Sequence, residues 1–153
     1  MTYSAEPTPP SDIKDLLDTQ WSTFSGNIPE PTFIEVNADG SALNIDIANQ
    51  GDAVIIRLDT NGYQENVIGT WYYTNRTYRV LLEIVSAVSR QRLMDLMQEI
   101  RRICYDNMHS MTNYQRIQFV NFTEQTQKEF NIWRGFVTIS LVNSAIRIRS
   151  GDT

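Results

Sequence analysis

Residues 78–104 read YRVLLEIVSAVSRQRLMDLMQEIRRIC, and two periodicities meet inside them. The first part alternates. Tyr78, Val80, Leu82 and Ile84 share one face, and Arg79, Leu81, Glu83 and Val85 share the other, the two-residue period of a strand. Ser89 is a good N-cap, able to accept from the free amides of a helix start. Beyond it Leu93, Leu96, Met97, Ile100, Ile103 and Cys104 form one apolar stripe at helical spacing. Arg90, Arg92, Asp95, Gln98, Glu99, Arg101 and Arg102 occupy the remainder. A strand feeding directly into such a helix is half of a two-layer sandwich, with the stripe lying on a sheet.

Working upstream, TYRVLLEIV and VIGTWYY read as two strands around a tight TNR connection. TNGYQEN before them contains Asn61-Gly62, the strongest short turn dipeptide. AVIIRLD is dense enough in apolar residues for a central strand. ALNIDIAN alternates as a half-buried strand does, and TFIEV is a further β segment ahead of the NADGS turn signal. The segment DIKDLLDTQWSTF spaces Ile13, Leu16, Leu17, Trp21 and Phe24 as a helix would, with acids early where the helix dipole favours them. Ser11 or Asp12 is its expected cap, and SGN with two prolines closes it. Residues 1–11 are expected to be a flexible, Pro-rich lead-in.

Downstream, RIQFVNF alternates, TEQTQKEF is a polar connection, and IWRGFVTISLVN is a long strand. The tail SAIRIRSGDT extends that strand or forms a loose arm. Helix, several strands, helix, two strands is the order of an α+β domain. A mostly antiparallel sheet with two main helices packed on one face is predicted, as a single domain over 12–153.

The chain of 153 residues can bury a sizeable core, and 41% hydrophobic with 20% charged residues is ordinary for a globular protein. No apolar run reaches the ~20 residues a membrane-spanning helix needs. The start lacks the basic-then-apolar order of a signal peptide, so a reducing cytoplasm is expected. The single Cys104 allows neither an internal disulfide nor a cysteine-based zinc site. Charge is unevenly distributed. Residues 1–65 hold two bases against eleven acids, net −9, and residues 66–153 hold eleven bases against seven acids, net +4, for −5 overall. Eleven of the thirteen bases are arginines. If surfaces segregate likewise, complementary potentials favour copies docking side to side or stacking. A net negative charge argues against a dedicated nucleic-acid binder.

No constellation announces a chemistry. His109 is the one histidine, and beyond a helix end it reads as a solvated or terminal residue rather than a base. No Ser or Cys lies in a nucleophile context, and no group has metal-ligand spacing. Glu35, Asp39, Asp46, Asp52 and Asp59 recur often enough to raise divalent-cation binding. They alternate with apolar residues as a solvent-facing strand side does, so solvation explains them better. Neither enzyme, metal nor cofactor is expected. The arginines of the long helix leave two readings open. One is a solvated face with intrahelical pairs such as Glu99 with Arg102, and the other is a stripe facing a partner. The aromatics of TWYYTNRTYR offer an RNA-like stacking surface, although aromatic cross-strand pairs are the commoner cause. The Asn75 and Asn121 glycosylation sequons read as chance.

GTWYYTNRTYRVLLEI followed by SRQRLMDLMQEIRRI, and later IWRGFVTISLV, resembles the small tail-terminator, or tail-completion, neck proteins of long-tailed bacteriophages and archaeal tailed viruses. The N-terminal helix of that group matches residues 12–24 and its strand–helix unit matches 78–105. Its arginine-led strand of alternating apolar residues matches Arg134 to Val142. The resemblance implies a structural virion protein, assembled in the host cytoplasm, that forms a six-fold ring with its own copies. The ring would cap the head-proximal end of the tail-tube protein and meet the head connector, with DNA only passing through its lumen and no membrane involved. On this reading Arg90, Arg92, Arg101 and Arg102 are candidates for the subunit interface. Asn61, Gly62, Tyr63, Gln64 and Glu65, with Arg147 and Arg149, are candidates for axial contacts. A head-completion or baseplate adaptor, or a cellular α+β nucleic-acid-binding module, are the alternatives.

Overall fold

The computed structural model describes residues 8–21, 28–36, 52–67, 73–126 and 132–146. The protein is α+β: within these residues helices α1 (Pro9–Trp21) and α2 (Arg90–Asp106) pack on a mixed, mostly antiparallel sheet. Its described strands are β1 (Thr32–Glu35), β2 (Asp52–Val67), β3 (Tyr73–Ser86), β4 (Arg116–Glu124) and β5 (Trp133–Ile146). They lie in the order β1-β2-β3-β5-β4, with β1 parallel to β2 and every other pairing antiparallel.

Alternation builds the core. Val54 and Ile56 of β2, the Tyr78, Val80, Leu82 and Ile84 run of β3, Ile117 of β4, and Val137, Ile139 and Leu141 of β5 share one sheet face. Ile13, Leu17 and Trp21 of α1 and the Leu93, Leu96, Ile100, Ile103 and Cys104 stripe of α2 close on that face. Each fully buried aliphatic side chain contributes about 1.5–3 kcal/mol through removal from water. Both helices therefore lie on the same side, as the sequence predicts. α2 begins where expected, with the Ser89 hydroxyl accepting from the Arg92 amide at 3.1 Å. It ends at Asn107, whose side-chain amide donates to the Ile103 carbonyl at 2.9 Å.

Several local expectations are corrected. α1 starts at Pro9, three residues before the expected boundary, and Thr8 accepts its first helical bond from the Asp12 amide at 3.0 Å. Proline suits the first turn because its φ is already helical and its missing N–H would be unsatisfied there anyway. Ser11 does not cap; its hydroxyl donates to Glu35 at 2.7 Å, tying α1 to β1. Asn61-Gly62 is not a hairpin turn. β2 runs through it as one strand, with a bulge that inserts extra residues between the Leu58–Val80 and Tyr63–Tyr78 pairs. Gly62 is needed there by close approach: a Cβ would lie 2.7 Å from the carbonyl oxygens of both Arg79 and Asp59. The TNR segment, expected as a connection, is strand within β3, paired to both β2 and β5. The strand expected over ALNIDIAN and the end of the first helix, 22–24, lie outside the described residues.

The β2–β3 hairpin is long. Its outer half, Tyr63–Val67 paired with Thr74–Tyr78, extends past Tyr78, the outermost core residue of β3. At about 3.3 Å per residue the outer half is roughly 15 Å long.

Candidate functional site

Three of the four helix arginines proposed for a subunit contact are engaged within the chain. Arg90 meets Glu124 of β4 through two parallel bonds, Nε to Oε1 at 3.0 Å and a terminal nitrogen to Oε2 at 2.9 Å. That pairing pushes the Arg90 pKa up. Arg92 reaches across to β2, where its Nε lies 2.7 Å from Asp52, and its second arm donates to the Pro29 carbonyl at 2.6 Å. Asp52 is 8% exposed, so this carboxylate is not the solvated strand-side acid its alternation suggests. Arg102 donates to Glu99 at 2.5 Å, to Asp106 at 2.7 Å and to the Gln20 carbonyl of α1 at 3.4 Å. The Glu99 bond is the main reason the Arg102 pKa is raised.

Glu99 is the chief surprise of this helix. Expected on the solvated face, it is 1% exposed and lies within the buried stripe. Its partner was legible in the i,i+3 spacing to Arg102; its burial was not, because α1 supplies the cover. Arg101 alone of the four meets no carboxylate among the described residues; its guanidinium lies 5.6 Å from the exposed Tyr105 ring, a cation–π distance.

The second proposed set divides. Gly62 is buried in the bulge, whereas Tyr63, Gln64 and Glu65 are exposed on the hairpin beyond it. The Asn61 side chain, Arg147 and Arg149 lie outside the described residues. The Tyr63 ring meets that of Tyr78 at a tilt, centroids 5.3 Å apart, and its hydroxyl donates to Glu65 at 2.9 Å; Glu65 in turn faces Arg76 at 3.6 Å. Desolvation first, then the Glu65 carboxylate, pushes the Tyr63 hydroxyl up to about 12. The ring series continues inward. Tyr78 meets Tyr114 edge-on at 6.3 Å, and Tyr114 donates to Asp12 of α1 at 2.6 Å. Burial and Asp12 both hold the Tyr114 hydroxyl protonated. This tyrosine row anchors the hairpin base to α1.

An open groove of about 310 Å³ separates α1 from the 107–114 connection, lined by Asp12, Asp15, Asn107, Ser110, Asn113 and Tyr114 among others. Its polar groups are largely spoken for: Asp12 by Tyr114, and Ser110 by Asn107. His109 stands outside it, with Nδ1 3.2 Å from the Gln115 carbonyl. Cys104 is buried, and desolvation pushes its thiol up to about 12, which suppresses the reactive thiolate. Among the described residues no three of His, Cys, Asp and Glu come together as metal ligands. Among the same residues no helix is long and apolar enough to cross a membrane.

Sequence reasoning passed over Arg57 and Arg116, which join Arg79 of the TWYYTNRTYR stretch. All three are exposed and sit out of phase with the core positions of β2, β3 and β4. The signal was present in the alternation, which puts Arg79 on the face opposite Tyr78 and Val80. What the alternation could not supply is the strand order that brings the three onto one surface. No protein-family model and no curated protein matches the chain.

Proposed function

We propose that the protein is a tail-terminator, or tail-completion, subunit of a long-tailed virus. Its copies close into a six-fold ring that caps the head-proximal end of a tail tube and offers a docking surface to the head connector. The observation that carries this reading is the end of the sheet that continues beyond the core. One face of the sheet is stitched to the helices by a dense core, whereas the outer half of β2–β3 continues past it with Tyr63, Gln64 and Glu65 exposed. An end of the sheet that continues past the core, with β5 paired along β3, supplies an axial contact, which is where the resemblance to tail-terminator proteins puts one. A contact between unlike surfaces closes into a ring when its rotation permits, and a ring stops a stack that would otherwise grow. The overall net charge of −5 also suits a lumen through which DNA slides without adhering.

The test is functional. A tube protein encoded beside this chain is allowed to polymerise with and without it, and tube lengths are measured by electron microscopy. Capping gives short tubes ending in a ring of added density at one end. An unchanged length distribution, with no end density, removes the reading. A head-completion or baseplate adaptor would leave tubes uncapped but bind the connector or baseplate protein. A cellular nucleic-acid module would instead show salt-sensitive binding to an oligonucleotide.

A further inference from the structure

Charge is sorted by the face of the sheet. On the helix side, the strand carboxylates Asp52, Glu65 and Glu124 each face an arginine of the same chain. The positions out of phase with the core look away from both helices. Among the described residues they carry Arg57, Arg79, Arg116 and Arg134 against one carboxylate, Glu83, which lies 3.0 Å from Arg134. Asp59, in the adjoining bulge, has its own partner in the chain. Arg57, Arg79 and Arg116 are exposed, and their side chains make no hydrogen bond or ion pair among the described residues.

Register fixes their spacing. Arg57 pairs with Leu81, two residues from Arg79, so the two are diagonal neighbours about 7–8 Å apart. Arg116 pairs with Val142, which pairs with Thr77, and so lies two strands over and one step along from Arg79, roughly 12 Å away. Thr77, Thr138, Ser140 and Gln118 fill the intervening positions. The result is a broad cationic surface on a chain of net charge −5.

The opposite sign collects across the molecule. Asp15 and Asp18 of α1 are exposed, and Glu30 is close enough to Asp18 for a hydrogen bond between the carboxyls. Lys14 is the one cation on that helix.

We infer that the arginine face of one copy receives the α1 carboxylates of the next, in a head-to-tail contact. This rests on the ring reading and names the interface within it. Planar guanidinium groups suit carboxylates geometrically. A second copy is favoured over a nucleic acid because the chain as a whole repels polyanions, whereas it carries the complementary surface itself. The two surfaces lie on opposite layers of one molecule, so a two-fold dimer cannot pair both. Each added copy leaves one of each exposed, and association continues until the ends meet.

Sedimentation velocity of the full chain tests this at 50 and 500 mM NaCl. Association is expected at low salt and dispersal to monomer at high salt. Two folded variants, checked by circular dichroism, dissect the contact: Arg79→Ala with Arg116→Ala, and Asp15→Asn with Asp18→Asn. Each alone should associate about tenfold more weakly or worse. An equimolar mixture should give a one-to-one complex that does not extend, because each variant retains one intact surface. A wild-type chain that is monomeric throughout, or association indifferent to both variants, overturns the inference. So does a monomer that binds a single-stranded 20-mer through the same arginines. Tube capping that survives the arginine variant would end this interface and spare the ring, whereas salt-sensitive association without capping would do the reverse.

Discussion

Glu99 is a buried charge on α2, and its stability depends on one neighbour. Arg102 contacts both carboxylate oxygens, at 3.0 and 3.1 Å through Nε and 2.5 Å through a terminal nitrogen. Removing one member of a buried pair strands the other, at about 3–5 kcal/mol. Arg102 is 24% exposed on its side chain, which moderates this. Arg102→Ala should therefore cost about 3 kcal/mol in urea unfolding, and Arg101→Ala, next to it but solvated, under about 1 kcal/mol. Replacing Glu99 and Arg102 together by methionine should recover most of the loss. Equal effects of the two single arginine variants would refute the distinction. The carboxyls of Asp18 and Glu30 make a second, pH-dependent case. Desolvation first, and then Asp18, raise the Glu30 pKa in the folded state. The folded chain thus holds that proton more tightly than the unfolded one, and ionising Glu30 as pH rises costs stability. Glu30→Gln should be slightly stabilising at pH 7, within the ~0.5 kcal/mol usual for surface changes, and neutral at pH 3. A stabilisation that is larger at pH 3 would reverse the assignment.

At the scale of elements, β4 and β5 are locked by a contact that only glycine permits. Gly135 lies under the Phe122 ring, so that a Cβ would sit 2.3 Å from its Cε2. Phe122 faces the core because the irregularity between Phe119 and Asn121 shifts the strand's phase by one residue. Without it, simple alternation would turn Phe122 outward. Gly135→Ala should cost about 1–3 kcal/mol through overpacking. In a Phe122→Ala background, which has its own cavity cost, the glycine change should become nearly neutral. Additive effects would show that the ring gives way freely. The same kind of shift explains the Asn61-Gly62 misreading. Local preference marks a turn, but Val80 and Tyr78 already hold both flanks of the bulge in one ladder, and long-range pairing wins. α2, by contrast, was legible residue by residue, because a cap and a stripe are both local signals.

For the whole molecule, one core joins α1, α2 and β2–β5, with Trp21 buried and edge-on to Phe33 of β1 at 5.6 Å. Far-UV and near-UV circular dichroism should therefore report one coincident urea transition, as cooperative single domains do. Separated transitions would divide α1 and β1 from the rest. The same layering sets the outward chemistry. Helices on one face leave Arg57, Arg79 and Arg116 of the other without a carboxylate partner among the described residues, and Tyr63, Gln64 and Glu65 of the outer hairpin stay exposed.

Periodicity within each segment sufficed to establish the α+β class, the two helices, most described strands and most of the core residues. A strand or helix face is dictated by neighbours two to four positions away, so it is written locally. Three outcomes required the folded chain: the burial of Glu99, the engagement of Arg90 and Arg92, and the gathering of Arg57, Arg79 and Arg116. Each depends on which segments lie side by side. Strand order and layer contacts bring together residues dozens of positions apart, and no local period encodes that proximity.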